Sequence, residues 1–313
     1  MMSAKMHLTI EQVTQFLISH YRGAVSDVSP LSGGEWSQAF GFQREGQDYV
    51  VRFGQHEADY LKDQFASGFR SVQLPIPRVL EVGEALDGYF AISERAFGTM
   101  IDNQDTVNMV ATISSLLATM DAMRETDITK THGFGSWDTH ANGEFSSWRE
   151  FLLAAGTEEH RDKIRGWKAN LENSPFGTSL FDEAYAKLIE LSEGLPEVRT
   201  LVHNDLLNFN VLVNDNKITA VIDWGNALYG DFLYDLAMYV FWSEQHPPVM
   251  GIDWKAEALK HYKSIDLDIP QFENRLLCCM LHLGLDALAY YSYKQDWKLF
   301  EPTSKNIARL LVF

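Results

Sequence analysis

The sequence predicts an α+β protein in two lobes: a small N-terminal lobe built on an antiparallel sheet, residues 1–95, and a larger, mainly helical lobe, residues 96–313. Three observations predict it. Short β-branched and aromatic runs bounded by turn residues crowd into the first 95 positions, helical periodicity dominates from Val107 onward, and one tight ribbon, Val211 to Ile222, interrupts the helices. The 313 residues are 46% hydrophobic and 22% charged, enough to bury a large core in two domains. Disordered, collagen-like and low-complexity classes are excluded.

Taken in order, Thr9 to Gln12 has the T-x-x-Q pattern of a capping box, and Ile10, Val13, Phe16 and Leu17 follow at helical spacing to about His20. Ser29 and Pro30 then mark a turn. Strands are expected at Ala39 to Gln43, Tyr49 to Phe53, Leu80 to Val82 and Tyr89 to Ser93, with Glu84 to Gly88 turning the last pair. A helix from Glu57 to Phe69 fits between them and ends before the breakers in Leu74-Pro75-Ile76-Pro77. In the second lobe Val110, Ile113, Leu116, Leu117, Met120 and Met123 fall on one helical face. Further helices are expected at Phe145–Ala155, Phe181–Ser192, Asp231–Ser243, Lys255–Tyr262 and Gln271–Tyr291. The exception is the ribbon, where Val211-Leu212-Val213 and Lys217 to Ile222 flank the turn-forming Asn214-Asp215-Asn216.

Charge narrows the partners. With 43 acidic against 26 basic side chains the formal charge is −17, which repels nucleic acid and anionic membranes and suits a cationic partner. The skew runs through both lobes, −4 over residues 1–98 and −13 over residues 99–313. Cys278 and Cys279 are neighbours in an apolar run, where a disulfide framework cannot form, so buried thiols in a reducing compartment are expected. The first residues lack the apolar core of a signal peptide, and no run approaches the ~20 apolar residues of a spanning helix. A cytoplasmic monomer with no nucleic acid or membrane partner is the expectation.

The ribbon carries the chemistry. Pairing its strands brings Asn210 at one end close to Asp223 at the other, and both offer oxygens of the kind Mg²⁺ prefers. Immediately upstream, His203-Asn204-Asp205-Leu206-Leu207-Asn208-Phe209-Asn210 has the form H-x-D-x-x-x-x-N. This resembles the catalytic-loop pattern of kinases, an Asp for the accepting hydroxyl and an Asn five residues on for the metal. Alone the pattern is common. Followed by a hairpin ending in Ile222-Asp223-Trp224, it is specific. The ten histidines show no metal-ligand spacing of their own.

These residues, with Gly230-Asp231-Phe232-Leu233-Tyr234-Asp235-Leu236-Ala237, resemble the aminoglycoside phosphotransferase family of protein-kinase-like enzymes. Segments from about residue 8 to 290 follow the family's order. Leu74-Pro75-Ile76-Pro77, Gly133-Phe134-Gly135, Ser147-Trp148-Arg149-Glu150-Phe151, Pro196-Glu197-Val198-Arg199 and Gly284-Leu285-Asp286 resemble its hygromycin B branch. The resemblance implies a protein-kinase-like fold, residues 1–95 binding nucleotide and residues 96–313 holding catalytic and acceptor groups. It implies Mg²⁺-dependent transfer of a γ-phosphate, with ATP as donor and GTP left open, to a hydroxyl of a cationic aminoglycoside, hygromycin B leading. The biological role would be antibiotic resistance.

Residue by residue, it implies Asp205 as base and Asn210 and Asp223 as Mg²⁺ ligands, with Asp231 and Asp235 bracing the loop. Gly33, Gly34 and Ser37 would cover the nucleotide phosphates. Arg52 stands where most kinases have Lys and would contact phosphate, with Asp63 preferred over Asp59 and Glu57 as its acidic partner. Backbone groups from Glu94 to Ala96 would read the adenine edge. Asn208, Trp242, Glu244 and Asp286 are candidates for the acceptor side. Kinases of choline, methylthioribose, homoserine and macrolides resemble the same family and remain alternatives. A silent binding module would have lost Asp205, Asn210 or Asp223, and none is lost.

Overall fold

The computed structural model describes residues 6–31, 37–159, 164–207 and 209–312. The chain opens with helix α1 (Ile10–Tyr21), closed by the capping box: Thr9 Oγ1 accepts from the Gln12 N–H and the Gln12 side chain accepts from the Thr9 N–H. Strands β1 (Ser26–Pro30), β2 (Ser37–Arg44) and β3 (Gln47–Gly54) follow, then α2 (Glu57–Ala66), β4 (Val79–Ala85) and β5 (Gly88–Glu94). They form one antiparallel sheet in the order β1-β2-β3-β5-β4. The turns Glu45-Gly46 and Leu86-Asp87 have positive φ at both central residues, the conformation whose twist matches that of paired strands.

Strand alternation sorts the two faces of this sheet. Phe40, Phe42, Val51, Phe53, Phe90 and Ile92 point one way and bury against Val13 and Leu17 of α1. Burying one such side chain stabilises the fold by roughly 2–3 kcal/mol. Arg52, between Val51 and Phe53, therefore points to the opposite face, where its register neighbours are Ala39 and Ala91. Those two small side chains leave room for a guanidinium, and α2 covers that face, with Tyr60 packed against Val79 and Ala91.

Residues 95–98 lead out of the sheet to β6 (Thr99–Met100), α3 (Thr106–Arg124), β7 (Phe134–Trp137), β8 (Gly143–Phe145), α4 (Trp148–Ala154), α5 (Trp167–Glu172) and α6 (Ser179–Ser192). Next come β9 (Thr200–Val202), the hairpin β10 (Val211–Asn214) and β11 (Lys217–Val221), β12 (Leu228–Gly230), and the helices α7 (Leu233–Trp242), α8 (Trp254–Ser264), α9 (Phe272–Lys294) and α10 (Trp297–Leu310). Helix α9 is the centre of this part and touches α5, α6, α7 and α10. Gly284 permits that approach: a Cβ there would lie 2.7 Å from Ile307 and 2.9 Å from Phe241.

Several expectations are corrected. Ser29 and Pro30 belong to an edge strand, where proline's missing N–H costs no ladder bond. Val110 is exposed, and Met109 takes its place on the buried face of α3. Phe145 is a strand residue facing Phe134 across the β7–β8 ladder, because Ser147 caps the Glu150 N–H and starts α4 at Trp148, three residues later than the apolar pattern suggests. The helical region also contains a four-stranded sheet, β8-β7-β12-β9, and a three-stranded one, β11-β10-β6. Cys278 and Cys279 are free and buried.

Candidate active site

Two strand pairs gather the chemistry-bearing residues. In the hairpin Val211 faces Val221, and the Ile222 N–H donates to the Asn210 carbonyl at 2.9 Å, which places Asn210 beside Asp223. Its turn residues Asp215 and Asn216 both have positive φ. Strands β9 and β12 pair Val202 with Leu228, so the segment leaving β9 at His203 and the one arriving at β12 from Asp223 run side by side. Between them Asn204, Phe209 and Asp223 all adopt φ near +60°, a conformation non-glycine residues hold at a cost of order 1 kcal/mol each. The surrounding hydrogen bonds hold them there.

Asp235, buried at the start of α7, accepts from the His203 N–H at 2.9 Å and the Asn204 N–H at 2.8 Å. Burial pushes its pKa up to about 6 against those two donors. His203 is fully buried, packs edge-on against Trp224 and binds the Ile222 carbonyl through Nε2 at 3.0 Å. Desolvation lowers its pKa to about 4, so the imidazole is neutral and that bond is donated by Nε2–H. Asp231 instead forms a buried ion pair with Arg275 of α9, at 2.8 and 2.9 Å, and caps the Leu233 N–H. The two carboxylates expected to brace the loop thus divide the work: Asp235 holds it, and Asp231 fixes α7 to α9. Gly230 just before them passes so close to Trp148 that a Cβ would lie 2.1 Å from the indole.

The Asp205 carboxylate accepts from Asn226 Nδ2 at 3.0 Å, and its backbone carbonyl accepts from Asn210 Nδ2 at 2.8 Å. With the amide nitrogen of Asn210 so engaged, its Oδ1 is the atom presented alongside Asp223. Across the cleft Arg52 pairs with Asp63 of α2, and the other oxygen of Asp63 accepts from the Trp224 N–H at 2.6 Å. Lys62 donates to the Gly225 carbonyl at 2.9 Å. Helix α2 therefore grips the segment that carries Asp223. Burial opposes the charge on Arg52, but Asp63 and then Asp223 more than offset it and hold its pKa above the ordinary value.

Asp223 opens to solvent at the cleft while protein surrounds the rest of it. Desolvation and then Asp63 push its pKa up to about 6, opposed by Arg52, with Asp205 and Asp59 adding to the rise. Several carboxylates thus face one guanidinium, and the crevice is short of positive charge. An amide oxygen and a carboxylate in such a crevice fit a hard divalent cation that keeps waters and phosphate oxygens in its shell. Among the described residues no three His, Cys, Asp or Glu side chains converge as an all-protein metal cage.

Of the other residues singled out, Gly33, Gly34 and Asn208 lie outside the described residues. Ser37 opens β2 opposite Gly54. Glu94 spends its N–H on the Arg78 carbonyl, at 3.0 Å, so only its carbonyl can face a base; its carboxylate lies 3.7 Å from Arg70. Ala96 is half-buried in the connection between the sheet and β6. Trp242 packs edge-on against Phe241, Glu244 pairs with Arg309 of α10 at 2.6 Å, and Asp286 is exposed on α9. Sequence reasoning missed Asn226, Lys62 and Asp102. Asp102 accepts from the Phe209 N–H at 3.0 Å, and burial raises its pKa to about 6. No spacing signals a bond spanning more than a hundred positions.

A sheet lobe with a basic residue clasped to its helix, facing a loop-and-hairpin site, defines a kinase-like phosphotransferase. The profile of the phosphotransferase enzyme family matches residues 27–267. Hygromycin-B 4-O-kinase of Escherichia coli is 33% identical over 288 residues, which cover 91% of this chain and 80% of that protein. Among solved structures, a thermostable mutant of aminoglycoside phosphotransferase APH(4)-Ia in ternary complex with AMP-PNP and hygromycin B superposes with a TM-score of 0.82. It is 30% identical, over 96% of this chain and 97% of that one. The GDP complex of aminoglycoside 2'-phosphotransferase-IIIa, 17% identical with a TM-score of 0.60 over 97% and 99% of the two chains, shares the fold. The chain belongs to the phosphotransferase enzyme family, among its aminoglycoside O-phosphotransferases.

Proposed function

We propose that this chain moves the γ-phosphate of ATP, with Mg²⁺, to a hydroxyl of hygromycin B, and that this confers resistance to the drug in the cytoplasm. The observation that carries the reading is the gathering of Asp205, Asn210 and Asp223 at the ends of one hairpin, facing the Arg52–Asp63 pair. The relatives at 33% and 30% identity, a hygromycin-B kinase and a complex with hygromycin B, support the acceptor. No helix among the described residues is long and apolar enough to cross a membrane, and both thiols are buried and free, which supports a cytoplasmic enzyme.

In this reading Asp205 orients the acceptor hydroxyl and takes its proton. The acceptor oxygen forms a bond to the γ-phosphorus as the bond to the bridging oxygen breaks, and ADP leaves with that electron pair. Bound Mg²⁺, held by Asn210 and Asp223, supplies charge neutralisation for the phosphates. Arg52, fixed by Asp63, contacts them with its guanidinium, and Gly33, Gly34 and Ser37 are assigned to the same phosphates. The Glu94 carbonyl and the Ala96 N–H flank the adenine. Residues 1–95 thus form the nucleotide side, and residues 96–313 carry the base and the acceptor wall. Asn208, Trp242, Glu244 and Asp286 are assigned to the acceptor, and the carboxylates among them suit a polycation. Purified protein with Mg-ATP and hygromycin B in an ADP-coupled assay tests the reading. ADP release dependent on the drug is expected; turnover only with another acceptor of a panel would overturn the hygromycin B assignment.

A further inference from the structure

We infer that Asn226 is a positioning residue for Asp205, tying the proton acceptor to the segment that carries Asp223. Asn226 lies outside the H-x-D-x-x-x-x-N pattern and closes the 3₁₀ turn Trp224–Asn226 immediately after Asp223. Its Nδ2 donates to the Asp205 carboxylate at 3.0 Å, and its own carbonyl accepts from Asn204 Nδ2 at 3.2 Å. Asn204 is in turn fixed by its backbone N–H on Asp235. The result is a closed circuit: Asp235 anchors Asn204, Asn204 anchors the backbone of Asn226, and the side chain of Asn226 reaches back to Asp205.

The circuit matters because Asp205 sits on a loop whose backbone alone does not set its side-chain rotamer. Asn210 grips the backbone carbonyl of Asp205, so its bond fixes the peptide and not the carboxylate. The Asn226 amide grips the carboxylate itself. Because the start of the same turn is held by Asp63 through the Trp224 N–H, a displacement of α2 is transmitted to the base as well as to Asp223. A side chain held in reacting geometry is worth up to about 100-fold in rate, and misplacing it by an ångström loses that factor.

The inference rests on the proposed phosphotransfer for its kinetic test, so a second readout is made on the free protein. Asn226→Ala is expected to lower kcat about 10- to 100-fold, with KM for Mg-ATP and for hygromycin B within about twofold and the melting midpoint unmoved. Asn226→Asp, equal in shape but a carboxylate facing a carboxylate, falls further, and Asn226→Gln, which keeps the donor, recovers part of the loss. In an Asp205→Ala background, Asn226→Ala is expected to cost less than about twofold more, since the group it positions is gone. On the free protein, the NMR signals of the Asn226 side-chain amide are expected to move when Asp205 becomes Asn. Absence of turnover with hygromycin B, with the amide signals still responding to Asp205→Asn, would remove the acceptor assignment and leave the positioning role standing. A kcat unchanged in Asn226→Ala, additive losses in the double variant, or amide signals indifferent to Asp205 would each overturn it.

Discussion

Asp205 and Asp223 face the same crevice, yet the segments that carry them are held by different parts of the molecule. The His203–Asn210 loop is fixed from below by groups of the helical part: Asp235 takes two backbone N–H groups, and Asp102 takes the N–H of Phe209. The Asp223–Asn226 segment is gripped instead by α2 of the sheet lobe, through Asp63 on the Trp224 N–H and Lys62 on the Gly225 carbonyl. Asp205 is thus organised within one lobe, and Asp223 depends on how the lobes meet. Asn226 is the bond that joins the two arrangements.

The largest effect is expected where the comparison is cut at the chemistry. Asp205→Ala should lower transfer by about 10³- to 10⁴-fold while nucleotide affinity stays close to the parent's, whereas Asp223→Ala should also weaken Mg-nucleotide binding. Steady-state kinetics with calorimetric titration of Mg-ATP separates them; equal loss of nucleotide affinity in both would break the division of roles. Asp63→Ala attacks the α2 grip, leaving Arg52 without its partner and the Trp224 N–H without an acceptor. A destabilisation of about 3–5 kcal/mol is expected, read from urea midpoints, with the residual activity showing a raised KM for Mg-ATP.

A smaller effect sharpens the lower anchorage through pH. His203 has its pKa lowered from 6.5 to about 4 in the fold, so its contribution is complete above pH 6.5 and is lost as pH falls toward 4. Asp235 has the opposite sign: its pKa is raised from 3.8 to about 6, so its penalty grows as pH rises through 6 and is relieved on acidification. Between pH 7 and pH 5 the His203 contribution is roughly 2 kcal/mol, partly offset in the parent by Asp235. His203→Gln should therefore lose about 2 kcal/mol less than the parent over that interval; identical pH dependence would show that the imidazole does not titrate with unfolding. The smallest effect falls on α3. Val110→Lys is expected to stay within about 0.5 kcal/mol, against roughly 2–4 kcal/mol for Met109→Ala, because the first side chain is exposed and the second is buried.

The local part of this architecture was legible in the chain. The capping box of α1, the strand pairs of the first lobe, and the ribbon that sets Asn210 beside Asp223 follow from hydrogen bonds and side-chain alternation between near neighbours. So does the spacing from Asp205 to Asn210. Short strands such as β9 and β12 were not legible: each is three residues long, and each is a strand only because partners distant in the chain lie beside it, β12 for β9 and both β9 and β7 for β12. The one-residue shift of the buried face on α3 has the same origin, since only the docked helix decides whether Met109 or Val110 turns inward.

Residue types and intervals pointed to a proton acceptor and two oxygen donors for a cation, and the family resemblance added a basic strand residue with Asp63 preferred as its acidic partner. Only the folded molecule put the second oxygen of Asp63 on the Trp224 N–H, and brought Asn226 to Asp205 and Asp102 to Phe209. Periodicity encodes contacts within a helix or a hairpin, where covalent geometry fixes which residues meet. Contacts between elements far apart in the chain depend on packing angles and loop paths that no short stretch of sequence contains.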